Sequence, residues 1–139
     1  MYKKILVTLY ATSTDRAIIE HIKKLATFMK SRVVLLHVAT SAVAQWHGPD
    51  AAGEEVEEGH AYLDRVRAEF AALDVPADAE LAFGASPAKQ IIKWVQENDC
   101  DLVAMSTHGH RLLGDLILGV TAFEVQHSIS VPVLLLRAK

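Results

Sequence analysis

At 139 residues and 51% hydrophobic content, the chain has the size and apolar supply of one ordinary domain. Charged residues make up 22% and the formal net charge is -3, so there is no basic excess to neutralise nucleic-acid phosphates. No apolar run approaches the ~18 residues of a membrane span, and the single cysteine, Cys100, cannot close an internal disulfide, which points to a reducing cytoplasm.

The first apolar run, Ile5 to Leu9, is short and rich in β-formers, as a strand covered on both faces would be. It is too short for a signal peptide and runs into polar residues without a cleavage pattern. Thr12-Ser13-Thr14-Asp15 then supplies candidate N-caps, and Ile18, Ile22, Leu25 and Met29 recur at helical spacing. Asp15 reads as a helix-start residue, with no partner that would make it a catalytic base. After the connector Lys30-Ser31-Arg32, the run Val33 to Val38 is a second buried strand, completing a βαβ unit with an expected right-handed crossover.

Periodicity lapses from Ala39 to Gly53, where Gly48-Pro49-Asp50 marks a turn in the longest loop of the chain. Glu54 and Glu55 place negative charge at the start of a helix whose buried stripe is Leu63, Val66, Phe70 and Leu73, and which Val75-Pro76 ends. Glu80 to Phe83 is a third strand, stopped by Gly84. Ser86-Pro87 starts a helix with a hydroxyl at the N-cap and proline at the first helical position, and Ala88, Ile91, Ile92 and Val95 form its buried face. Leu102 to Met105 is a fourth strand, Gly119 opens a helix that runs to Ser128, and Val133 to Leu136 is a fifth strand after Val131-Pro132.

Five strands separated by helices predict a single α/β domain over residues 1–139: a doubly wound five-stranded parallel sheet with helices on both faces. Ligands in such sheets bind beyond the carboxyl ends of the strands, which directs attention to Leu9 to Ser13, Val38 to Ser41 and Ser106 to Thr121. Glycines beside a helix N-terminus let an anion approach the backbone, so Gly109 and Gly119 serve either a phosphate or only a turn. The pair His108 and His110 falls short of the three or four ligands a zinc site needs, Cys100 has no acidic partner nearby, and no metal is expected. His37 reads as a hydrogen-bonded structural histidine, Trp94 as a partly covered surface residue, and Phe123 as a weak hint of an interface.

Lys4-Ile5-Leu6-Val7, Leu35-Leu36-His37-Val38, Gly84-Ala85-Ser86-Pro87-Ala88, Asp101-Leu102-Val103, Met105-Ser106-Thr107-His108-Gly109 and Ser130-Val131-Pro132-Val133-Leu134 follow one another with spacing that resembles the universal stress protein (UspA-like) family over nearly the whole chain. That resemblance implies an adenine nucleotide alpha-hydrolase-like fold. Family members that bind ATP carry Gly, two residues, Gly, nine residues, Gly, then Ser or Thr. On this chain those positions are Ser106, Gly109, Gly119 and Val120, with Thr121 next along. Binders also place Asp, Gly and Ser after the first strand, where this chain has Tyr10, Ala11 and Thr12. Tyr10 either stacks on a base or lids an altered pocket. The resemblance thus implies a degenerate site for ATP or AMP formed by Leu9, Tyr10, Thr12, Val38, Ser106, Gly109, His110, Arg111, Gly119, Val120 and Thr121. Arg111 is either a phosphate contact or simply solvated.

No nucleophile–base pair with an orienting third group is recognisable, so slow ATP hydrolysis is the most an enzymatic reading allows. The expectation is a cytoplasmic, stress-associated, nucleotide-responsive protein with no nucleic-acid or membrane partner. The alternative is an interaction protein of the same family without nucleotide. The resemblance implies a homodimer through the strand Val133 to Leu136, and the protein partner beyond it is unknown.

Overall fold

A computed structural model of the chain describes residues 1–40, 53–107 and 113–138, with side chains left out for 113–119. Strands β1 (Lys4–Leu9), β2 (Arg32–Ala39), β3 (Ala77–Phe83), β4 (Leu102–Thr107) and β5 (Val133–Arg137) alternate with helices α1 (Asp15–Met29), α2 (Gly53–Ala71), α3 (Pro87–Glu97) and α4 (Leu113–Ser128). All pairings are parallel and the sheet order is β3-β2-β1-β4-β5.

The unbroken apolar runs arise because both faces of the sheet are covered. Ile5, Val7 and Leu9 of β1 pack with Ile18, Ile19 and Ile22 of α1 and with Leu63, Val66 and Phe70 of α2. Leu6 faces the other way, into a second core with Ala88 and Ile91 of α3 and Ala122 and Val125 of α4. Among the described residues helices therefore lie on both faces, two to a side, and helices on both faces are what the element order predicts.

Three boundaries differ from the sequence reading. β3 begins at Ala77, three residues before Glu80, because an edge strand with Asp78 and Glu80 turned to solvent shows no apolar run. Helix α2 ends at Ala71, and Asp74 takes a left-handed φ of 59° in the turn that follows, which leaves Leu73 out of the stripe and 44% exposed. Helix α4 begins at Leu113, so Gly119 lies inside the helix and does not open it.

The N-cap of α3 is as expected: the Ser86 hydroxyl accepts the Lys89 N–H at 3.3 Å, with proline at the first helical position. Trp94 is partly buried against the second core; its indole N–H donates to Glu80, and the Lys4 ammonium lies 5.6 Å from its ring centre.

Candidate functional site

From β1 the chain proceeds to β2 and β3 on one side, whereas β4 and β5 lie on the other. The direction of winding therefore changes between β1 and β4, and the crevice beyond their carboxyl ends is the ligand position of this architecture. The register pairs Ile5 with Leu102 and Val7 with Ala104; carried two residues further, it sets Leu9 beside Ser106. Leu9, Val38, Ser106 and Thr121 are all buried at this end of the molecule. Thr12 is exposed on the loop after β1, its hydroxyl 2.6 Å from that of Thr14.

Three hydroxyls at this end are out of solvent and have no hydrogen-bond partner among the described residues: Thr8 Oγ1, Tyr10 Oη and Ser106 Oγ. Folded proteins pair nearly all such groups. Thr8 and Ser106 sit near the ends of adjacent central strands, and Tyr10 follows β1 directly. The Tyr10 hydroxyl lies beside Thr121 of α4, but the two fall short of hydrogen-bond geometry. Burial pushes the Tyr10 phenol up to about 12; the nearby Thr121 hydroxyl works against that shift and the Asp15 charge adds to it.

Sequence reasoning read Asp15 as a helix-start residue; the structure places it there and also makes it the hub of the loop. Asp15 is fully buried. Its carboxylate accepts the backbone N–H of Tyr10 at 3.0 and 3.1 Å, the N–H of Ala11 at 2.8 Å and the Tyr62 hydroxyl of α2 at 2.5 Å. Ala11 has a φ of 60°, a left-handed conformation that an alanine adopts only when its surroundings impose it. Successive N–H groups in such a turn form an anion-binding concavity, and here the anion is the chain's own carboxylate. Burial raises the Asp15 carboxyl above its ordinary range against the pull of Tyr62 and of the loop N–H groups. Burial likewise raises the Tyr62 phenol, and the bond to Asp15 adds to it.

Signals for these residues existed in the sequence. Thr8 is the one polar residue inside the run Ile5 to Leu9, and Tyr62 stands four residues before Val66, on the edge of the apolar stripe of α2. His37 is structural as expected: its Nδ1 lies 2.9 Å from the Leu9 carbonyl oxygen, in the position of a donor. A cleft of about 360 Å3 opens beside it, between Ala11 and the α2 residues Glu58, Tyr62 and Arg65.

On α4 the structure separates two neighbours. Val120, at the hydroxyl position of the ATP pattern, is 55% exposed, whereas Thr121 is 4% exposed. Gly109, His110 and Arg111 lie outside the described residues, and so does the turn Gly48-Pro49-Asp50. Among the described residues no group of three or more His, Cys, Asp or Glu side chains is placed to hold a metal. Among them, too, no helix is long and apolar enough to cross a membrane.

The family model "Universal stress protein family" matches residues 1–137. The chain belongs to this family. Universal stress protein MJ0577 of Methanocaldococcus jannaschii is 24% identical, with 100% of this chain and 97% of that protein covered. The solved structure of MJ0577 superposes with a TM-score of 0.84 over 100% of this chain and 98% of that one. A universal stress protein from Archaeoglobus fulgidus, solved in complex with dAMP, is 14% identical and superposes with a TM-score of 0.70, covering 96% of this chain and 97% of that one. Another universal stress protein, solved with cAMP, is 13% identical with a TM-score of 0.73, covering 99% and 98%. At these identities the likeness to the solved structures is one of fold: the five-stranded parallel sheet with its flanking helices.

Proposed function

We propose that this universal stress protein binds an adenine nucleotide, AMP or ATP, in the crevice beyond β1 and β4 and passes its occupancy on through an oligomer. The observation that carries the reading is the winding switch between β1 and β4, with the buried, partnerless hydroxyls of Ser106 near the carboxyl end of β4 and of Tyr10 just after β1. Such groups fit a polar ligand or its waters better than a sealed apolar end. The relatives solved with dAMP and cAMP support the same ligand class. Two features argue for weak binding. Val120 stands where binders carry a hydroxyl, and the loop N–H groups of Tyr10 and Ala11 are already taken by Asp15. The expected dissociation constant is micromolar or weaker, about -8 kcal/mol or less favourable.

The test is the small-molecule content of freshly purified protein, released by heat and resolved by ion-exchange chromatography, followed by calorimetric titration with AMP and ATP. A co-purifying adenine nucleotide, or measurable heat, supports the reading. An empty extract together with no heat from folded protein would sink it. A second reading, an interaction protein without nucleotide, is favoured by Tyr10 and Val120, which stand where nucleotide binders carry Asp and a hydroxyl.

The oligomer in this reading is a homodimer through β5. That strand is an edge of the sheet, carries Val133 to Leu136, and has Leu135 38% exposed. An unpaired apolar edge is satisfied by antiparallel pairing with the same strand of a second copy, a contact that closes at two.

A further inference from the structure

We propose that the groove between the last turns of α1 and α2 is a docking site for a partner protein, which lays an amphipathic helix with acidic flanks into it.

The groove is far from the crevice between β1 and β4. Helix α1 runs back along the sheet and ends at Met29, just before β2 begins at Arg32, so its last turns stand by the amino ends of the strands. The groove has a volume of about 740 Å3, and all of its walls belong to described residues. Phe28, Ala72 and Leu73 supply its apolar surface, with Phe28 82% and Leu73 44% exposed. Large exposed apolar side chains beside a concavity, rimmed by charged groups, are the anatomy of a protein interface. A trough between two packed helices receives a third helix by ridges into grooves.

The backbone holds this surface open. After α2 the N–H groups of Asp74 and Val75 bond the carbonyls of Ala71 and Phe70, both at 3.0 Å, and Asp74 is left-handed at a φ of 59°. That turn keeps Leu73 outside the buried stripe. The two walls are braced across the groove by Glu69 of α2, which accepts from Arg16 at 3.0 Å and from Lys23 at 2.5 Å, both on α1.

The same bonds decide which charge is left over. Glu69 is engaged by Arg16 and Lys23, and Glu20 by Lys23 at 3.0 Å. Lys24 lines the groove one turn before Phe28 and has no ion pair among the described residues. Past Thr27 and Leu73 the groove adjoins a second cleft of about 360 Å3 lined by Lys30 and Asp74, which are not ion-paired among the described residues either. A basic helix would meet Lys24 while the carboxylates beside it are already engaged. A carboxylate next to an apolar side chain instead finds an unpaired ammonium at the rim, so charge selects an acidic occupant.

The experiment follows the fluorescence anisotropy of a labelled synthetic peptide with leucine at helical spacing and glutamate on the flanking positions, titrated with the full-length parent, Phe28→Ala and Lys24→Glu proteins. A second peptide has lysine in place of each glutamate. Circular dichroism is the folding control, and both substituted positions are exposed. The parent is expected to bind the glutamate peptide and not the lysine peptide. Phe28→Ala should weaken that binding about tenfold. Lys24→Glu should weaken it severalfold and shift the preference toward the lysine peptide. Equal binding of both peptides by the parent, binding of neither, or undiminished binding by Phe28→Ala overturns the proposal. So does occupancy by a second copy: a Leu135→Lys protein that is still dimeric in light scattering, and that becomes a monomer when Phe28→Glu is added, assigns the groove to self-association.

Discussion

Tyr62 of α2 donates its phenolic hydrogen to the Asp15 carboxylate at the start of α1 across 2.5 Å, joining residues 47 apart in sequence. The acceptor is fully buried, and hydrogen bonds to charged groups of this kind contribute about 1.5–3 kcal/mol. Tyr62→Phe keeps the ring and removes only the donor. It should lower the unfolding free energy by about that amount, read from the midpoint of a urea titration at unchanged slope. A midpoint equal to the parent's would mean that Asp15 is satisfied by the loop alone.

Tyr10 predicts an alkaline effect with a definite sign. Its phenol titrates at 10.0 when unperturbed and near 12 in the fold, where burial favours the protonated form. Below pH 10 both states keep the proton and the fold carries no penalty. Between about 10 and 12 the unfolded chain releases it first, so stability falls as pH rises through that window. Tyr10→Phe lacks this group and should lose less stability across the same range. Urea midpoints of both proteins from pH 8 to 12 measure the difference, and parallel profiles would contradict burial of the phenol.

Gly119 lies inside α4, which runs from Leu113 to Ser128. Alanine suits a helix interior better than glycine by about 1 kcal/mol. Gly119→Ala should therefore raise the thermal midpoint, which a lower midpoint would refute. The same protein, titrated with AMP, reports whether the ligand touches this turn. A stabilised variant that no longer binds places the nucleotide against the backbone there, whereas unchanged binding removes Gly119 from the site.

Within β5, Leu134 and Leu135 differ as probes of the proposed dimer. Leu134 packs against the core under α1, so a charge there would damage the fold itself. Leu135 is 38% exposed on the edge strand. Leu135→Lys should convert a dimer to a folded monomer in light scattering at micromolar concentration. A parent protein that is already monomeric under those conditions would remove the dimer.

The strands and helices were legible wherever one local rule decides the backbone. Ile5 to Leu9 reads as a doubly covered strand and forms one; Ser86-Pro87 reads as a helix start, and the serine hydroxyl accepts the Lys89 N–H. The blocks Lys4 to Val7, Leu35 to Val38, Gly84 to Ala88, Asp101 to Val103, Met105 to Gly109 and Ser130 to Leu134 carried the family likeness that the match over residues 1–137 establishes. Each of these signals lies within a few residues, at the range of a helical turn, a cap or a strand's alternation. The Asp15 hub was not legible. Its meaning comes from Tyr62, and nothing in either local segment records that α2 folds back over the loop after β1. The choice of Thr121 over Val120 as the inward residue likewise depends on how α4 is rotated against β4, which packing of the second core decides. Sequence by itself determined the order of strands and helices and the fold class. Only the tertiary structure decided that Asp15 holds the loop after β1, because a buried carboxylate takes its donors from whichever segments the packed core brings close to it.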